Sequence, residues 1–223
     1  MQLIFDTAVT ANLATAAFSA VLSLYLLALW FRQKNHLYTD LPLMFGTTFM
    51  AQAFNTLIRT LPLIGVVEMS LNLFRLRTLV IMGTAFPLLV VALHIWLPRA
   101  RRYHPRIVGL LAAYWVLVAL LGPSEEVIML LCIPVVLVLT MTMIVTFIIT
   151  WKTNRLKEVR SDLMVLSFLL GFVSQLVANQ VILNNVLITL GTVFSTLGLT
   201  NPWFRRRHIP LAVPPESVEP AVA

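Results

Sequence analysis

Gln52, Asn55 and Arg59 follow one another at intervals of three and four residues, with Thr48 four residues before them. On a helix this spacing puts all four on one face. Two amides and a guanidinium can hydrogen-bond a polar ligand or hold an anion. Three more polar stripes occur in apolar surroundings. Asn12, Thr15, Ser19 and Ser23 make one. Asn185, Thr189, Thr192, Thr196 and Thr200 make another. Ser167, Gly171, Ser174, Gln175 and Asn179 form a looser third. One reading is helix packing: small and hydroxyl residues let backbones approach, and amides bond between helices. The other is a polar cavity lined by Gln52, Asn55, Arg59, Gln175, Asn179, Thr192 and Thr196. The four amides are bulkier than close packing needs. Arg59, a turn beyond Asn55, is placed to bind an anion at the mouth or to snorkel to the interface.

Reaction chemistry finds little footing. His94 is the one histidine inside an apolar run, and the sequence offers it no ligating partner at matching depth. A hydrogen-bonded or interfacial histidine is therefore expected. Glu125 and Glu126 are adjacent, so they share no helix face and suit a solvated helix start better than an acid/base pair. Every other acidic residue before the tail, Asp6, Asp40, Glu68, Glu158 and Asp162, falls at the end of an apolar run or between runs. A proton pump would place a carboxylate at mid-membrane. The last apolar run has no lysine for a retinal Schiff base. Cys132 is the single cysteine, so neither an intrachain disulfide nor a cysteine-based metal cluster can form. No metal, no cofactor and no catalytic residue is expected.

The elements that position these residues are membrane spans. The chain is 59% hydrophobic and 11% charged, with a mean hydropathy of +0.90. Soluble domains run nearer 25% charged. A span needs roughly 20 mostly apolar residues. Seven are predicted, at about 8–31, 41–61, 78–97, 107–122, 127–150, 162–183 and 185–203. The expected fold is an all-α integral membrane bundle of seven transmembrane helices occupying residues 1–208. The runs are too long and too continuously apolar for barrel strands. Pro87 and Pro134 are expected to kink spans three and five. The start, "MQLIFDTAVTAN", has no basic residue before the first run, so no cleavable signal peptide is expected.

Four spans end alike: "ALWFRQKNH", "HIWLPRARRYH", "ITWKTNRLK" and "NPWFRRRH". Trp30, Trp96, Trp151 and Trp203 are read as interface anchors. Arg32, Lys34, Arg99, Arg101, Arg102, Arg106, Lys152, Arg155, Lys157, Arg160, Arg205, Arg206 and Arg207 fall on one side, while Arg59, Arg75 and Arg77 fall on the other. Basic residues favour the cytoplasmic side, so the N-terminus is expected outside and the C-terminus inside.

Residues 209–223 hold four prolines without apolar periodicity, and a disordered cytoplasmic tail is expected. The layout resembles the membrane-embedded sensor portion of seven-span receptors and sensor kinases, in layout only. No internal repeat marks a sugar-porter arrangement. The expected role is a non-enzymatic sensor-like module or accessory subunit in the cell membrane. Its expected partners are the lipid bilayer, anionic headgroups at the cytoplasmic face, and a protein partner or a second copy. Nucleic acid is not expected, despite a net charge of +7, because the charges sit between apolar runs. The alternative is a small transporter or channel using a polar cavity among spans one, two, six and seven.

Overall fold

The computed structural model describes residues 7–34, 37–153 and 158–202. Among these, every regular element is helical: α1 Thr7–Phe31, α2 Leu41–Thr60, α3 Leu71–Trp96, a 3₁₀ turn Pro98–Tyr103, α4 His104–Leu121, α5 Glu125–Thr153, α6 Ser161–Leu176 and α7 Val181–Thr200. α1, α3, α5, α7 and the segment Pro98–Leu121 are long and apolar enough to cross a bilayer. They mark the chain as a multi-pass membrane protein. Leu110, Leu121 and Leu130 are more than 70% exposed, a placement that suits lipid and would cost free energy in water.

Local chemistry sets the helix ends. Pro42 occupies the first turn of α2, where its missing N–H costs no helix bond. The Ser70 hydroxyl accepts from the Leu73 N–H at 3.3 Å and starts α3. α3 therefore begins at Leu71, not near residue 78, and carries Arg75 and Arg77 within its first two turns. Asn201 closes α7 in the left-handed region, φ 35°, with its N–H on the Leu197 carbonyl at 3.0 Å. α6 stops at Leu176, shorter than the expected 162–183, because 177–180 form a turn. Asn184 donates its amide to the Ser174 carbonyl at 2.8 Å, satisfying one of the orphan acceptors at that end. Both α3 and α5 remain continuous helices through Pro87 and Pro134.

Contacts between helices fix their relative directions. The end of α1 meets the start of α2 through Ser23 Oγ on the Gly46 carbonyl, 2.7 Å. Thr48 reaches the Thr84 carbonyl on α3 at 3.4 Å. Trp115 of α4 donates to the Thr78 carbonyl, 2.8 Å. Tyr114 reaches Leu131 of α5 at 3.1 Å, and Thr150 of α5 meets Ser161 of α6 at 3.2 Å. Consecutive helices thus run in opposite directions. One end of the bundle carries Thr7, Thr60, Leu71, Leu121 and Val181 (the Thr7 end). The other carries Trp30, Leu41, Trp96, His104 and Thr200 (the Trp30 end).

α1, α2, α3, α5, α6 and α7 pack in a closed ring, and α4 lies against α3 and α5 outside it. The Trp30 half of the ring is filled by large apolar side chains: Leu26, Phe45, Phe49, Val91, Met143, Phe147 and Met164. Phe168 stacks on Phe147 with centroids 5.8 Å apart and meets Phe45 edge-on at 6.1 Å. A second cluster, Trp115, Val118, Ile128 and Cys132, seats α4. Three of the expected anchors lie near the Trp30 end. Trp30 donates to the Leu37 carbonyl at 3.2 Å, Trp96 donates to Thr146 Oγ1 at 2.7 Å, and Trp151 is exposed. Trp203 and the tail 209–223 lie outside the described residues.

Candidate functional site

Two polar stripes anticipated from spacing face each other. α1 and α7 run parallel, so Asn12 meets Asn185 and Thr15 meets Thr189. Asn185 Nδ2 donates to Asn12 Oδ1 at 2.6 Å, and the two threonine hydroxyls are 3.3 Å apart. Asn12 and Ser19 are fully enclosed, and Asn12 Nδ2 and Ser19 Oγ have no partner. Thr192 and Thr196 are buried on the same stripe. Their hydroxyls donate to the Thr189 and Thr192 carbonyls of their own helix, both at 2.8 Å. Such back-bonding satisfies a hydroxyl internally and leaves it little to offer a ligand.

A second polar face of α7 turns towards α6. Ser167 Oγ lies 2.7 Å from the Gly191 carbonyl and 2.5 Å from Ser195 Oγ. Gly191, Ser195 and Gly198 are all buried there. Their spacing of four and three is the small-residue pattern that lets two helices approach closely, and it was available in the sequence. At Gly198 the approach is close enough for the Arg160 N–H to donate to the Gly198 carbonyl at 2.8 Å.

The expected cavity residues divide. Gln175 is exposed on α6, and Asn179 is exposed in the turn after it. Among the described residues neither is hydrogen-bonded to Asn55, and α6 ends at Leu176, so Asn179 no longer shares a helix face with Gln175. Gln52, Asn55 and Arg59 are half-buried along one face of α2. Asn55 Oδ1 accepts from Arg77 Nε at 3.2 Å, and Arg59 Nη2 donates to the Ala178 carbonyl at 3.3 Å. The α2 stripe therefore meets the start of α3 and the turn between α6 and α7 at the Thr7 end. Arg77 is the residue that spacing did not reveal. Reading span three from residue 78 left it in a loop, although Ser70 signals a helix start just upstream.

His94 has a neighbour that the sequence did not disclose. The His104 ring lies edge-on to it with centroids 4.7 Å apart. His94 Nδ1 lies 2.8 Å from the Val90 carbonyl, and His104 Nε2 lies 2.9 Å from the Leu97 carbonyl. A carbonyl can only accept, so both nitrogens carry the proton. The pair fastens the turn between α3 and α4. Among the described residues, no three His, Cys, Asp or Glu side chains cluster where they could hold a metal ion.

Replacing Asn185 with Leu should cost about 1 kcal/mol, since it strands the Asn12 carbonyl as well as losing one bond. Removing both amides, Asn12→Leu with Asn185→Leu, should recover at least half of that loss. Unfolding of the four proteins in detergent micelles measures the coupling. Strict additivity of the single effects would mean that the two amides do not support each other.

Comparison with known protein families, curated proteins and solved structures gives no match. The site is therefore read from its own geometry.

Proposed function

We propose that all seven helices cross the cell membrane, with the Thr7 end outside and the Trp30 end in the cytoplasm. In this reading the protein is a non-enzymatic sensor-like module or accessory subunit of a membrane complex. The observation that carries the role is the filled Trp30 half of the ring. Phe45, Phe49, Phe147 and Phe168 meet where a continuous pathway would have to run. A closed interior supports a module that binds or assembles over one that conducts.

The orientation is supported by the basic residues. Arg32, Lys34, Arg99, Arg101, Arg102, Arg106, Lys152 and Arg160 lie at the Trp30 end, whereas Arg59, Arg75 and Arg77 lie towards the Thr7 end. Arg101 and Arg102 are exposed, suited to anionic headgroups and to a protein partner docking at that face. α2 and α6 fall outside the set defined by length and apolarity. Alternating directions along the chain support their crossing as well.

The second reading, a small transporter or channel, is favoured by the polar α2 face that opens at the Thr7 end. Reconstitution separates the two. Vesicles holding the pure protein should show no solute flux, and gentle solubilisation should co-purify a protein partner or a second copy. Flux without any partner would favour transport instead.

Topology is tested with Cys132→Ala as background. Glu126→Cys should react with an impermeant maleimide in intact cells, and Glu158→Cys only after permeabilisation. Both positions are exposed. The reverse labelling pattern would overturn the orientation.

A further inference from the structure

We propose that Asn55, Arg59 and Arg77 form a binding site for an oxyanion, a carboxylate or phosphate group, at the Thr7 end of the bundle. The proposal rests on the packing of α2 against α3. It holds whether the protein senses, assembles or transports.

Two helices bring the three side chains together. Asn55 and Arg59 are one turn apart on α2, and Asn55 Oδ1 takes the Arg77 Nε–H from α3 at 3.2 Å. That bond engages Asn55 Oδ1, the cluster's one side-chain acceptor. Arg59 spends one N–H on the Ala178 carbonyl at 3.3 Å. What remains is Asn55 Nδ2, the other N–H groups of Arg59, and both terminal nitrogens of Arg77, none with a hydrogen-bond partner among the described residues. Every unspent nitrogen is a donor, so the cluster favours a ligand that accepts. Two of the three groups are cations, so it must be negative.

The cluster is held in place before any ligand arrives. Arg77 packs over the Phe74 ring at 5.9 Å, and its Nε is tied to Asn55. This leaves the forked edge of the guanidinium free, the edge that matches two oxygens of a carboxylate or phosphate. A snorkelling arginine takes its charge out to water, away from other cations. Here Arg59 lies one turn from Asn55, the side chain that holds Arg77. Glu125 of α5 makes no ion pair with Arg77 among the described residues. Among the described residues, the ion pair is Arg160 with Asp162 at the opposite end. An anion between the two guanidiniums would remove their repulsion and use their free donors together.

Asn55, Arg59 and Arg77 are half-buried, so a ligand can reach them. Most large buried side chains of the ring lie in its Trp30 half, Ile128 of α5 being an exception at the Thr7 end. In the Thr7 half its buried apolar residues include the small Val9, Ala16 and Ala53. Gln52, one turn deeper than Asn55, has no side-chain hydrogen bond among the described residues either.

Such a group has two sources, the headgroup of an anionic lipid or a soluble anion, and the test distinguishes them. The full chain in nonionic micelles is titrated with inorganic phosphate, followed by calorimetry and thermal unfolding. In parallel, it is placed in nanodiscs of phosphatidylcholine with and without phosphatidylglycerol. Saturable phosphate binding in micelles identifies a soluble oxyanion. Stabilisation only with phosphatidylglycerol identifies the headgroup. Either effect should weaken at least tenfold in Arg59→Gln and in Arg77→Gln, and stay unchanged in Arg99→Gln, an exposed residue at the other end. Arg59→Lys and Arg77→Lys keep the charge but lose the fork. They should bind several-fold more weakly, and they serve if the glutamine variants do not fold. Absence of both effects in the unmodified protein overturns the proposal. So does equal binding by the Arg59, Arg77 and Arg99 variants.

Discussion

Gly191→Leu should lower the unfolding free energy by about 3 kcal/mol, while Gly171→Leu on the facing helix changes it by less than about 0.5 kcal/mol. A Cβ at Gly191 would lie 3.3 Å from the Ser167 carbonyl oxygen. That oxygen belongs to the α6 backbone and cannot swing aside as a side chain can. The remaining carbons of a leucine then have no volume to enter, and α6 and α7 must separate. Separation breaks the Ser167 bond to the Gly191 carbonyl and the contact between Ser167 and Ser195. Overpacking alone costs about 1–3 kcal/mol, and each interhelical bond in a membrane adds about 0.6. At Gly171 a Cβ meets nothing within 4 Å, so a leucine there points into open space. Thermal or chemical unfolding of both variants in micelles reads the difference. Equal tolerance would mean that the close approach of α6 and α7 carries little of the stability.

Trp115→Ala should cost about 3–5 kcal/mol, the range for removing a large buried aromatic. Trp115 is 1% exposed, in the notch between α3, α4 and α5, edge-on to Phe86 at 6.3 Å. Its indole N–H holds the Thr78 carbonyl at 2.8 Å. α4 lies outside the ring, so this side chain is the main fastener between α4 and the rest. Trp115→Phe keeps most of the packing and loses the bond, for a cost of about 1 kcal/mol. Leu121→Ala, at a site 74% exposed, should change little. The same unfolding measurement ranks the three. Limited proteolysis near residues 122–124 should accelerate in Trp115→Ala alone. If Trp115→Ala and Leu121→Ala behaved alike, α4 would be held by its flanking turns and not by this cluster.

The helical class, the five long apolar helices and the division of the described basic residues between the two ends of the bundle were legible in the sequence. Each depends on neighbours along the chain. A helix needs its bonds three and four residues away, a span needs enough apolar length, and a cap needs a Ser or Pro at one position. The stripe Asn12, Thr15, Ser19, Ser23 and the stripe on α7 were visible for the same reason. What they faced was not. Asn12 on Asn185, Asn55 on Arg77 and His94 against His104 join residues whose separation in sequence carries no signal. Asn179 shows the opposite failure: it keeps helical spacing with Gln175 but falls beyond the helix end, in a turn. In a soluble protein the apolar face of each helix points to the core and narrows the choice of partners. In a membrane both lipid and core are apolar, so hydrophobicity does not distinguish inside from outside. Close approach at small residues and the pairing of polar groups make that choice, and these exist only once the helices have packed.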